Sequence, residues 1–304
     1  MVVVAGEALI DLAPRDGLLL PLPGGSPYNV AVGLARLGSD ARFLGPLSTD
    51  GFGRQLADRL RAEGADLDLA PRTGAPTTLA VVHLDDQGRA SYGFYLDGTS
   101  AAGLAEEDLP DLPEDAALHV SFGAITMDTV PAGPALVRLL ERNRAGGVTS
   151  LDPNVRPTVI ADMDAYAARL DEVVAGVDLV KVSDEDLEVL WPGRDPMAVA
   201  ADWAAIGPAV VVVTRGPDGA VALRPGGEPI EVRGHAVEVV DTVGAGDAFT
   251  SGLLAWLDQH DQLRPGGLAA LTDREVEDAL ERAALTAALT CTRAGSDPPR
   301  TDEL

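Results

Sequence analysis

A short run of small residues ahead of an apolar helical pattern offers the clearest chemistry in this sequence. The run covers residues 241–247 and reads Asp-Thr-Val-Gly-Ala-Gly-Asp. Unpaired backbone N–H groups at a helix start attract anions, and the helix dipole adds to that attraction. Asp247, in the first turn, could take a proton from a hydroxyl held beside a bound phosphate. Taken alone, the pattern is better explained as a glycine-rich helix start whose first-turn acid is favoured by the dipole.

The rest of the chain supplies the elements that must position such a site. Short apolar runs indicate strands at residues 2–5, 118–122, 148–151, 179–182 and 209–214. Apolar residues at helical spacing indicate helices at residues 29–37, 52–62, 135–143, 165–174, 185–190, 198–205, 245–258 and 274–292. Apolar strands that alternate with amphipathic helices predict an α/β fold, with a mainly parallel central sheet covered by helices on both faces.

Two β-rich runs, 77–84 and 90–96, stand apart from this alternation. They flank Asp-Asp-Gln-Gly at 85–88, which predicts a hairpin. The chain has 304 residues, of which 46% are hydrophobic, so it can bury a substantial core. Because it shows no internal repeat and no linker, we expect a single domain over residues 1–304.

Composition excludes several classes of partner. The formal net charge of −25 repels nucleic acid and anionic lipid, so we expect neither as a partner. No apolar stretch approaches the roughly 20 residues that cross a bilayer. The apolar start of the chain has no basic flank and predicts a strand rather than a signal peptide. Since Cys291 is the single cysteine, a reducing cytoplasm is the expected location.

The run at 241–247 closely resembles the C-terminal signature of the ribokinase-like (PfkB) carbohydrate kinase family. Other segments resemble that family's motifs in the same order along the chain: Gly6-Glu7 with Asp11, the double glycine and its neighbours at 24–31, Leu37-Gly38, Asp-Gly-Phe-Gly at 50–53, the strand and turn at 213–220, and the helix end at 292–295. The resemblance therefore covers nearly the whole chain. It implies an ATP-dependent sugar kinase of the ribokinase-like fold, with a small β-sheet lid.

The resemblance also implies roles for residues at the sugar and at the reacting hydroxyl. Asp247 would be the catalytic base, and the N–H groups of Gly244, Ala245 and Gly246 would form an anion hole. The implied sugar-binding residues are Asp11, Gly24, Gly25, Asn29 and Arg156. From the residues alone, Asp11 could instead cap a turn and Asn29 could be a helix N-cap. Arg156 could equally form a structural ion pair with Asp152 or another acid.

For the nucleotide and its ions, the resemblance implies a further set of residues. The implied ATP-binding residues are Lys181, Ser183, Thr214, Gly216, Gly219 and Thr242. Mg²⁺ would bridge the ATP phosphates, held indirectly by Asp186 and Glu185. Here the sequence departs from the family's usual Asn-x-x-Glu, and surface acids at a helix start account for these residues equally well. A K⁺ ion could be held by Asp241 and by backbone carbonyls near Val243, Thr290, Arg293 and Gly295.

The sugar itself is indicated by two segments, 151–157 and 94–99. Both are more similar to those of fructokinases than to those of ribokinases, so the expected reaction converts fructose to fructose 6-phosphate. A 2-keto-3-deoxygluconate kinase or a ribokinase of the same family remains an alternative, as does a sugar-binding sensor without turnover. Segments 15–22 and 77–96 would form the lid, and the resemblance implies a homodimer.

Other kinase and enzyme classes lack their required residues. Lys181 is the single lysine and follows no glycine loop, which excludes a P-loop and the protein-kinase pattern. The four histidines are far apart along the chain and show no zinc-binding spacing. His119 lies in an apolar run and is expected to be a core histidine with satisfied hydrogen bonds. Cys291 is expected to be an inert packed thiol.

Overall fold

The computed structural model describes residues 1–15, 17–84 and 90–304. The described strands are β1 (Val2–Ala5), β2 (Leu9–Arg15), β3 (Leu18–Gly24), β4 (Ala41–Leu44), β5 (Leu47–Ser48), β6 (Arg72–Thr73), β7 (Thr78–Leu84), β8 (Ala90–Tyr95), β9 (Ala117–Ser121), β10 (Thr149–Asp152), β11 (Leu179–Ser183), β12 (Val210–Thr214), β13 (Ala220–Leu223) and β14 (Ile230–Val232). The described α-helices are α1 (Ser26–Arg36), α2 (Gly51–Glu63), α3 (Ala132–Asn143), α4 (Met163–Val174), α5 (Asp184–Leu190), α6 (Pro196–Ile206), α7 (Ala245–Gln259), α8 (Gly267–Ala270) and α9 (Asp273–Cys291).

The central sheet follows from the alternation of apolar strands and helices. Its strand order is β14-β13-β12-β11-β10-β9-β1-β4. All pairs from β12 to β4 are parallel, while β13 and β14 pair antiparallel at one edge. The prediction of a mainly parallel sheet is therefore confirmed. The sequence analysis did not identify β4, β13 or β14 as strands.

Alternate residues of each central strand enter different cores, as the strand period of two requires. Val2 and Val4 of β1 pack with α1, α2, α7 and α9, whereas Val3 and Ala5 pack with α3, α4, α5 and α6. The predicted cover of helices on both faces is thus confirmed. The valines of β12 are all buried, because this strand is covered on both faces. A central parallel strand therefore has a continuous apolar sequence rather than an alternating one.

A second, smaller sheet has the order β3-β2-β7-β8. It contains both predicted lid segments, and it extends the first of them back to Leu9 and forward to Gly24. The predicted turn at 85–88 lies outside the described residues. Leu18 and Leu19 on β3 are 67% and 51% exposed, so part of this sheet presents apolar side chains outward.

Close approach of α1 to α7 sets the geometry of the site below. Gly33 of α1 packs against α7, where an added Cβ would lie 2.6 Å from the Cβ of Ser251. Glycine is therefore required to let the two helix axes approach so closely. The N-terminal turns of α1 and α7 consequently lie side by side at the carboxyl edge of the central sheet.

Two expectations about single residues can be compared with the structure. His119 is fully buried, and its Nδ1 pairs with Ser150 Oγ at 3.0 Å, but Nε2 has no partner among the described residues. The expectation of a fully satisfied histidine is therefore wrong. Cys291 is half-buried, and burial raises the pKa of its thiol, which agrees with an unreactive packed side chain. None of the helices in the described residues is long and apolar enough to span a membrane.

Candidate active site

A cavity of about 630 Å³ lies along the carboxyl edge of the central sheet. Its floor is formed where β1, β10, β11 and β12 end, and β2 and β8 of the smaller sheet form one wall. Crevices at the carboxyl ends of parallel strands are the usual ligand sites of open α/β sheets. Two regions of this cavity are named here. The acidic end comprises Glu7, Asp11, Asn29, Tyr92 and Arg156, and the glycine end comprises Thr214, Gly216, Thr242, Gly244 and Gly246.

Asp247 lies between these two ends, in the first turn of α7. Ser26 Oγ donates to its Oδ1 at 2.6 Å, and Asn29 Nδ2 donates to its Oδ2 at 2.8 Å. Both donors come from the first turn of α1. Burial raises the pKa of Asp247, while these two hydrogen bonds lower it. The carboxylate is therefore fixed in orientation and poised to accept a proton.

The start of α7 supplies main-chain donors beside that carboxylate. Gly244 is the N-cap, and its φ of 77° is one that glycine adopts readily. The N–H of Ala245 donates to the Thr242 carbonyl at 3.2 Å, whereas no acceptor among the described residues takes the N–H of Gly244 or Gly246. Of the three predicted anion-hole donors, Ala245 is thus already engaged in a turn. Gly244 and Gly246 have N–H groups available for an anion.

The acidic end contains two carboxylates with strongly perturbed pKa values. Burial raises the pKa of Glu7 to about 7, although the N–H groups of Ala124 and Ile125 donate to its carboxylate. Burial and the charge of Asp247 raise the pKa of Asp11 to about 6. The positive charge of Arg156 lowers the pKa of both Glu7 and Asp11, but by less than burial raises it.

Arg156 is not paired as the alternative interpretation required. Its Nη1 donates to the Val155 carbonyl at 3.0 Å, and no carboxylate in the described residues forms a salt bridge with it. Asp152 instead pairs with Lys181 at 3.0 Å, on the neighbouring strand β11, and both side chains are buried. The ion pair proposed between Arg156 and Asp152 is therefore wrong. Arg156 remains a cationic group lining the cavity.

Asp11 and Asn29 do not have the capping roles that the sequence left open for them. Asp11 lies inside β2, opposite Leu22 of β3, so it does not cap a turn at a strand end. Asn29 lies within α1, whose N-cap is Gly25, so the N-cap alternative for Asn29 is wrong. Both line the cavity.

The double glycine lets main chain approach two of the carboxyl-bearing residues closely. A Cβ on Gly24 would lie 3.0 Å from Cγ of Asp11, and one on Gly25 would lie 2.8 Å from the Glu7 carbonyl oxygen. Gly25 also has a φ of 103° and lines the cavity, whereas Gly24 lies behind Asp11 and is not part of the described lining. The first glycine thus places a carboxylate, and the second borders the ligand space.

Ser183 and Asp186 form a capping box at the start of α5. Ser183 Oγ accepts from Asp186 N at 3.0 Å, and Asp186 also accepts from Val155 N at 3.1 Å. Burial, and next the charge of Asp152, raise the pKa of Asp186. Glu185 is exposed and lines the cavity. Asp186 is therefore largely committed to structure, and Glu185 is the more accessible acid for a hydrated cation.

Lys181 lies between the two ends of the cavity, beneath the start of α7. A Cβ on Gly246 would lie 3.1 Å from Lys181 Nζ. Burial is the largest influence on Lys181 and opposes its charged form, but the carboxylates of Asp152, Asp186 and Asp247 together outweigh burial, so the pKa of Lys181 is raised. The single lysine is therefore a buried cation that neutralises Asp152 and faces the anion-attracting turn.

Of the remaining residues predicted to bind the nucleotide, some line the cavity and one packs in the sheet edge. Thr214, Gly216 and Thr242 line the cavity. Gly219 is not part of the described lining; a Cβ there would lie 2.7 Å from the main chain of Arg233 and would also overlap the Val232 carbonyl oxygen. Gly219 therefore serves close packing of the sheet edge.

The predicted cation set joins two loops beside the cavity. Asp241 accepts from Val243 N at 3.0 Å and from Gly295 N at 2.8 Å, and the Thr290 carbonyl accepts from Arg293 N at 3.1 Å. Of this set, Val243 lines the cavity as described. No cluster of three or more His, Cys, Asp or Glu side chains in the described part of the chain is arranged to hold a metal ion.

The residues of the site that were missed as functional candidates include Glu7, Ser26, Ser121 and Asp152. Glu7, Ser26 and Asp152 lie inside motifs that the sequence analysis used, yet only their neighbours were assigned roles. Ser121 ends the buried strand β9, and its Oγ lies 2.5 Å from Ser26 Oγ. A polar residue at the carboxyl end of a buried strand was the available signal.

Comparison with known proteins finds similar sequences over nearly the whole chain. A model of the family described as "pfkB family carbohydrate kinase" matches residues 2–303. A fructokinase of Rhizobium leguminosarum bv. trifolii is 39% identical over 284 residues, which cover 91% of this chain and 86% of the relative.

Two solved structures are similar in fold to this chain. A fructokinase of Xylella fastidiosa with bound ATP has a TM-score of 0.91 and 30% identity, and the match covers 99% of this chain and 96% of that one. A fructokinase double mutant of Vibrio cholerae O395, with fructose, ADP and potassium ion bound, has a TM-score of 0.84 and 30% identity. That match covers 97% of this chain and 93% of the other.

Proposed function

The chain belongs to the pfkB family of carbohydrate kinases, and we propose that it transfers the γ-phosphate of ATP to the 6-hydroxyl of fructose. One observation carries the proposal: the Asp247 carboxylate is held between two donors in the cavity, beside free N–H groups at a helix start. Relatives named fructokinase, and a fructokinase structure with fructose and ADP bound, support fructose as the acceptor.

In this proposal Asp247 is the catalytic base. The sugar hydroxyl oxygen forms a bond to the γ-phosphorus while the bond from that phosphorus to the bridging oxygen breaks and releases ADP. The hydroxyl proton moves to Asp247. Phosphoryl transfer depends mainly on positioning and charge stabilisation, which the fixed carboxylate and the N–H groups of Gly244 and Gly246 can supply.

Cations would complete the charge balance around the phosphates. Mg²⁺ prefers oxygen ligands and retained water, and the exposed carboxylate of Glu185 suits indirect contact through water better than Asp186 does. Mg²⁺ supplies neutralisation of phosphate charge when it is bound. For K⁺, Asp241 with the carbonyls near Val243, Thr290, Arg293 and Gly295 remains the proposed donor set. A rise in kcat on adding KCl in place of NaCl would support it, and equal rates would contradict it.

Sugar recognition is assigned to the acidic end. Asp11 and Asn29 would hydrogen-bond sugar hydroxyls, and Arg156 would donate to a further oxygen. A panel of sugars distinguishes fructose from 2-keto-3-deoxygluconate and ribose. Faster turnover of either competitor at equal concentration would overturn the choice of fructose.

The smaller sheet would act as a lid over the sugar. Tyr92 and Phe94 on β8 line the cavity from this sheet, so closure would exclude water from the γ-phosphate. The exposed leucines of β3 suit contact with a second copy of this chain, and we propose a cytoplasmic homodimer. Light scattering that gives the mass of a monomer at working concentration would contradict the dimer.

The decisive variant is Asp247→Asn, which keeps shape and removes the base. We expect kcat to fall by about 10²- to 10⁴-fold, because the hydroxyl proton loses its acceptor. Fructose binding, measured by calorimetry, should persist. The matched control is Asp164→Asn, because Asp164 is an exposed first-turn acid of α4 and should leave kcat unchanged. Equal rates for wild type and Asp247→Asn would refute the base assignment and favour a sugar sensor.

A further inference from the structure

A chain of hydroxyl groups runs from the central sheet to the Asp247 carboxylate. Ser121 ends β9, and its Oγ lies 2.5 Å from Ser26 Oγ at the first residue of α1. Ser26 in turn lies 2.6 Å from Asp247 Oδ1. Ser121 is 1% exposed and Ser26 is 7% exposed, so bulk water cannot readily replace either contact. The hydrogen bonds of Asp247 therefore depend on these groups.

The direction of the hydrogen bonds follows from counting hydrogens. An ionised carboxylate only accepts, and each serine hydroxyl has one hydrogen. Ser26 must therefore give its hydrogen to Asp247, and the contact between the serines must be donated by Ser121. Asn29 holds the other carboxylate oxygen, Oδ2, at 2.8 Å. Each oxygen of the carboxylate thus has one fixed donor.

The same chain can reverse after Asp247 has taken up a proton. The Ser121 hydroxyl can turn to the Phe122 carbonyl oxygen, which lies 3.2 Å from its Oγ. Ser121 Oγ then accepts from Ser26, and Ser26 Oγ becomes free to accept from a carboxylic acid. Serine can fill both roles because its hydroxyl donates and accepts. An amide donor such as Asn29 Nδ2 cannot reverse in this way.

We infer that Ser26 is a positioning residue for the catalytic base, oriented by Ser121, so that the hydroxyl chain holds Asp247 toward the sugar hydroxyl in both protonation states. This inference rests on the proposed function of Asp247. Ser26 itself need not touch the sugar or the phosphate. Its effect is on the orientation of Asp247 and on the ease with which Asp247 is ionised.

Several charged groups also influence Asp247 and must be kept constant in a test. The carboxylates of Glu7, Asp11 and Asp152 face it from the central and smaller sheets, and Lys181 faces it from β11. Glu7 and Asp11 titrate in the same pH range as an acid limb of activity would. The useful measurement is therefore the difference between variants that alter only the hydroxyl chain.

The test compares Ser26→Ala with Ser26→Thr in steady-state assays with fructose and ATP from pH 5 to pH 9. Ser26→Ala should lower kcat by about ten- to a hundredfold, the factor expected for a lost hydrogen bond to a charged group, with both KM values within about threefold. The acid limb of its profile of kcat against pH should move to higher pH. The Ser26 donor stabilises ionised Asp247, so its loss raises the pKa of Asp247. Ser26→Thr keeps the hydroxyl and should restore both kcat and the limb.

Ser121→Ala provides a second, independent variant. It leaves the donor to Asp247 in place but removes the partner that orients it, so we expect a smaller loss of kcat, about threefold to tenfold. A loss in Ser26→Ala with an unmoved acid limb would overturn the inference, since that result indicates a merely structural serine. Unchanged kcat in Ser26→Ala would overturn it as well.

The proposed function is tested separately by Asp247→Asn. If Asp247→Asn retains the wild-type rate, the base assignment fails, whatever the serine variants do. If Asp247→Asn is inactive while Ser26→Ala behaves as wild type, only the hydroxyl chain fails. Thermal unfolding of each variant confirms that the compared proteins are folded.

Discussion

The acidic end and the glycine end of the cavity are built on opposite principles. At the acidic end, charged side chains from the loop after β1, from β2 and from the loop after β10 converge, and burial raises the pKa values of Glu7 and Asp11. At the glycine end, main chain and small residues border the space, and Thr242 and Gly246 are exposed. One end can therefore discriminate between ligands by side-chain chemistry. The other can hold an anion through main-chain N–H groups.

This difference predicts opposite sensitivities to mutation. Removing a group should be harmful at the acidic end, because buried charges would lose their partners. Adding a group should be harmful at the glycine end, because the main chain there must approach a ligand closely. Gly244→Ala adds an atom at the glycine end, and Arg156→Ala removes atoms at the acidic end.

Among variants within the two ends, the largest effect is expected for Gly244→Ala. The added Cβ would lie 2.6 Å from Ser296 Cβ, and alanine in the left-handed region costs about 1–2 kcal/mol. The turn must shift, so the N–H groups of Gly244 and Gly246 would leave their positions. Loss of one such donor typically lowers kcat by about 10²- to 10³-fold. We expect a fall of that order with fructose binding retained.

Gly266→Ala is the matched control for this variant. Gly266 has a φ of 76°, against 77° for Gly244, and is also a helix N-cap, but no atom lies within 4 Å of its added Cβ. It should suffer the backbone strain alone and keep wild-type kcat. Equal losses of activity in the two variants would show that strain, and not displacement of the glycine end, is responsible.

The next effect concerns Arg156, at the acidic end. In Arg156→Ala we expect the KM for fructose to rise about ten- to a hundredfold, while the KM for ATP changes little. Arg156→Lys keeps the charge but not the planar fork, so it should recover only part of the affinity. A rise in the KM for ATP as large as that for fructose would place Arg156 at the phosphates instead.

Sequence alone predicted one half of this comparison better than the other. Three of the five glycine-end residues lie in one contiguous run at 241–247 before a helix, and the resemblance of that run to a family signature implied their roles. At the acidic end, the partner of Asp152 depends on which strand lies beside β10. Lys181 lies on that strand and forms the ion pair with Asp152 that the sequence analysis considered for Arg156. Strand order cannot be read from residues that are distant along the chain.

The roles of Ser26 and Asn29 show the same limit. The double-glycine segment was recognised, but the contact of both side chains with Asp247 depends on the approach of α1 to α7 at Gly33. β13 and β14 were missed because they are short and pair antiparallel at the sheet edge, outside the strand–helix alternation. The lid and the single domain remain predictions.

The smallest effect is a pH dependence that only the acidic end should show. Glu7 has a pKa of about 7 in the folded protein and an ordinary value of 4.5, so the folded state binds a proton that the unfolded chain has released. Its contribution to stability therefore falls as pH rises. Between pH 6 and pH 8 that fall amounts to about 1 kcal/mol.

This contribution is isolated by comparing wild type with Glu7→Gln in urea unfolding at pH 6 and pH 8. The comparison is needed because His119, with its pKa lowered to about 3 by burial, favours the folded state at higher pH. From pH 6 to pH 8, the free energy of unfolding of Glu7→Gln should rise by about 1 kcal/mol relative to that of wild type. For Thr242→Ala at the glycine end, the difference in free energy of unfolding from wild type should be the same at both pH values. A constant difference for Glu7→Gln would mean that Glu7 is ionised throughout this pH range and would contradict the prediction.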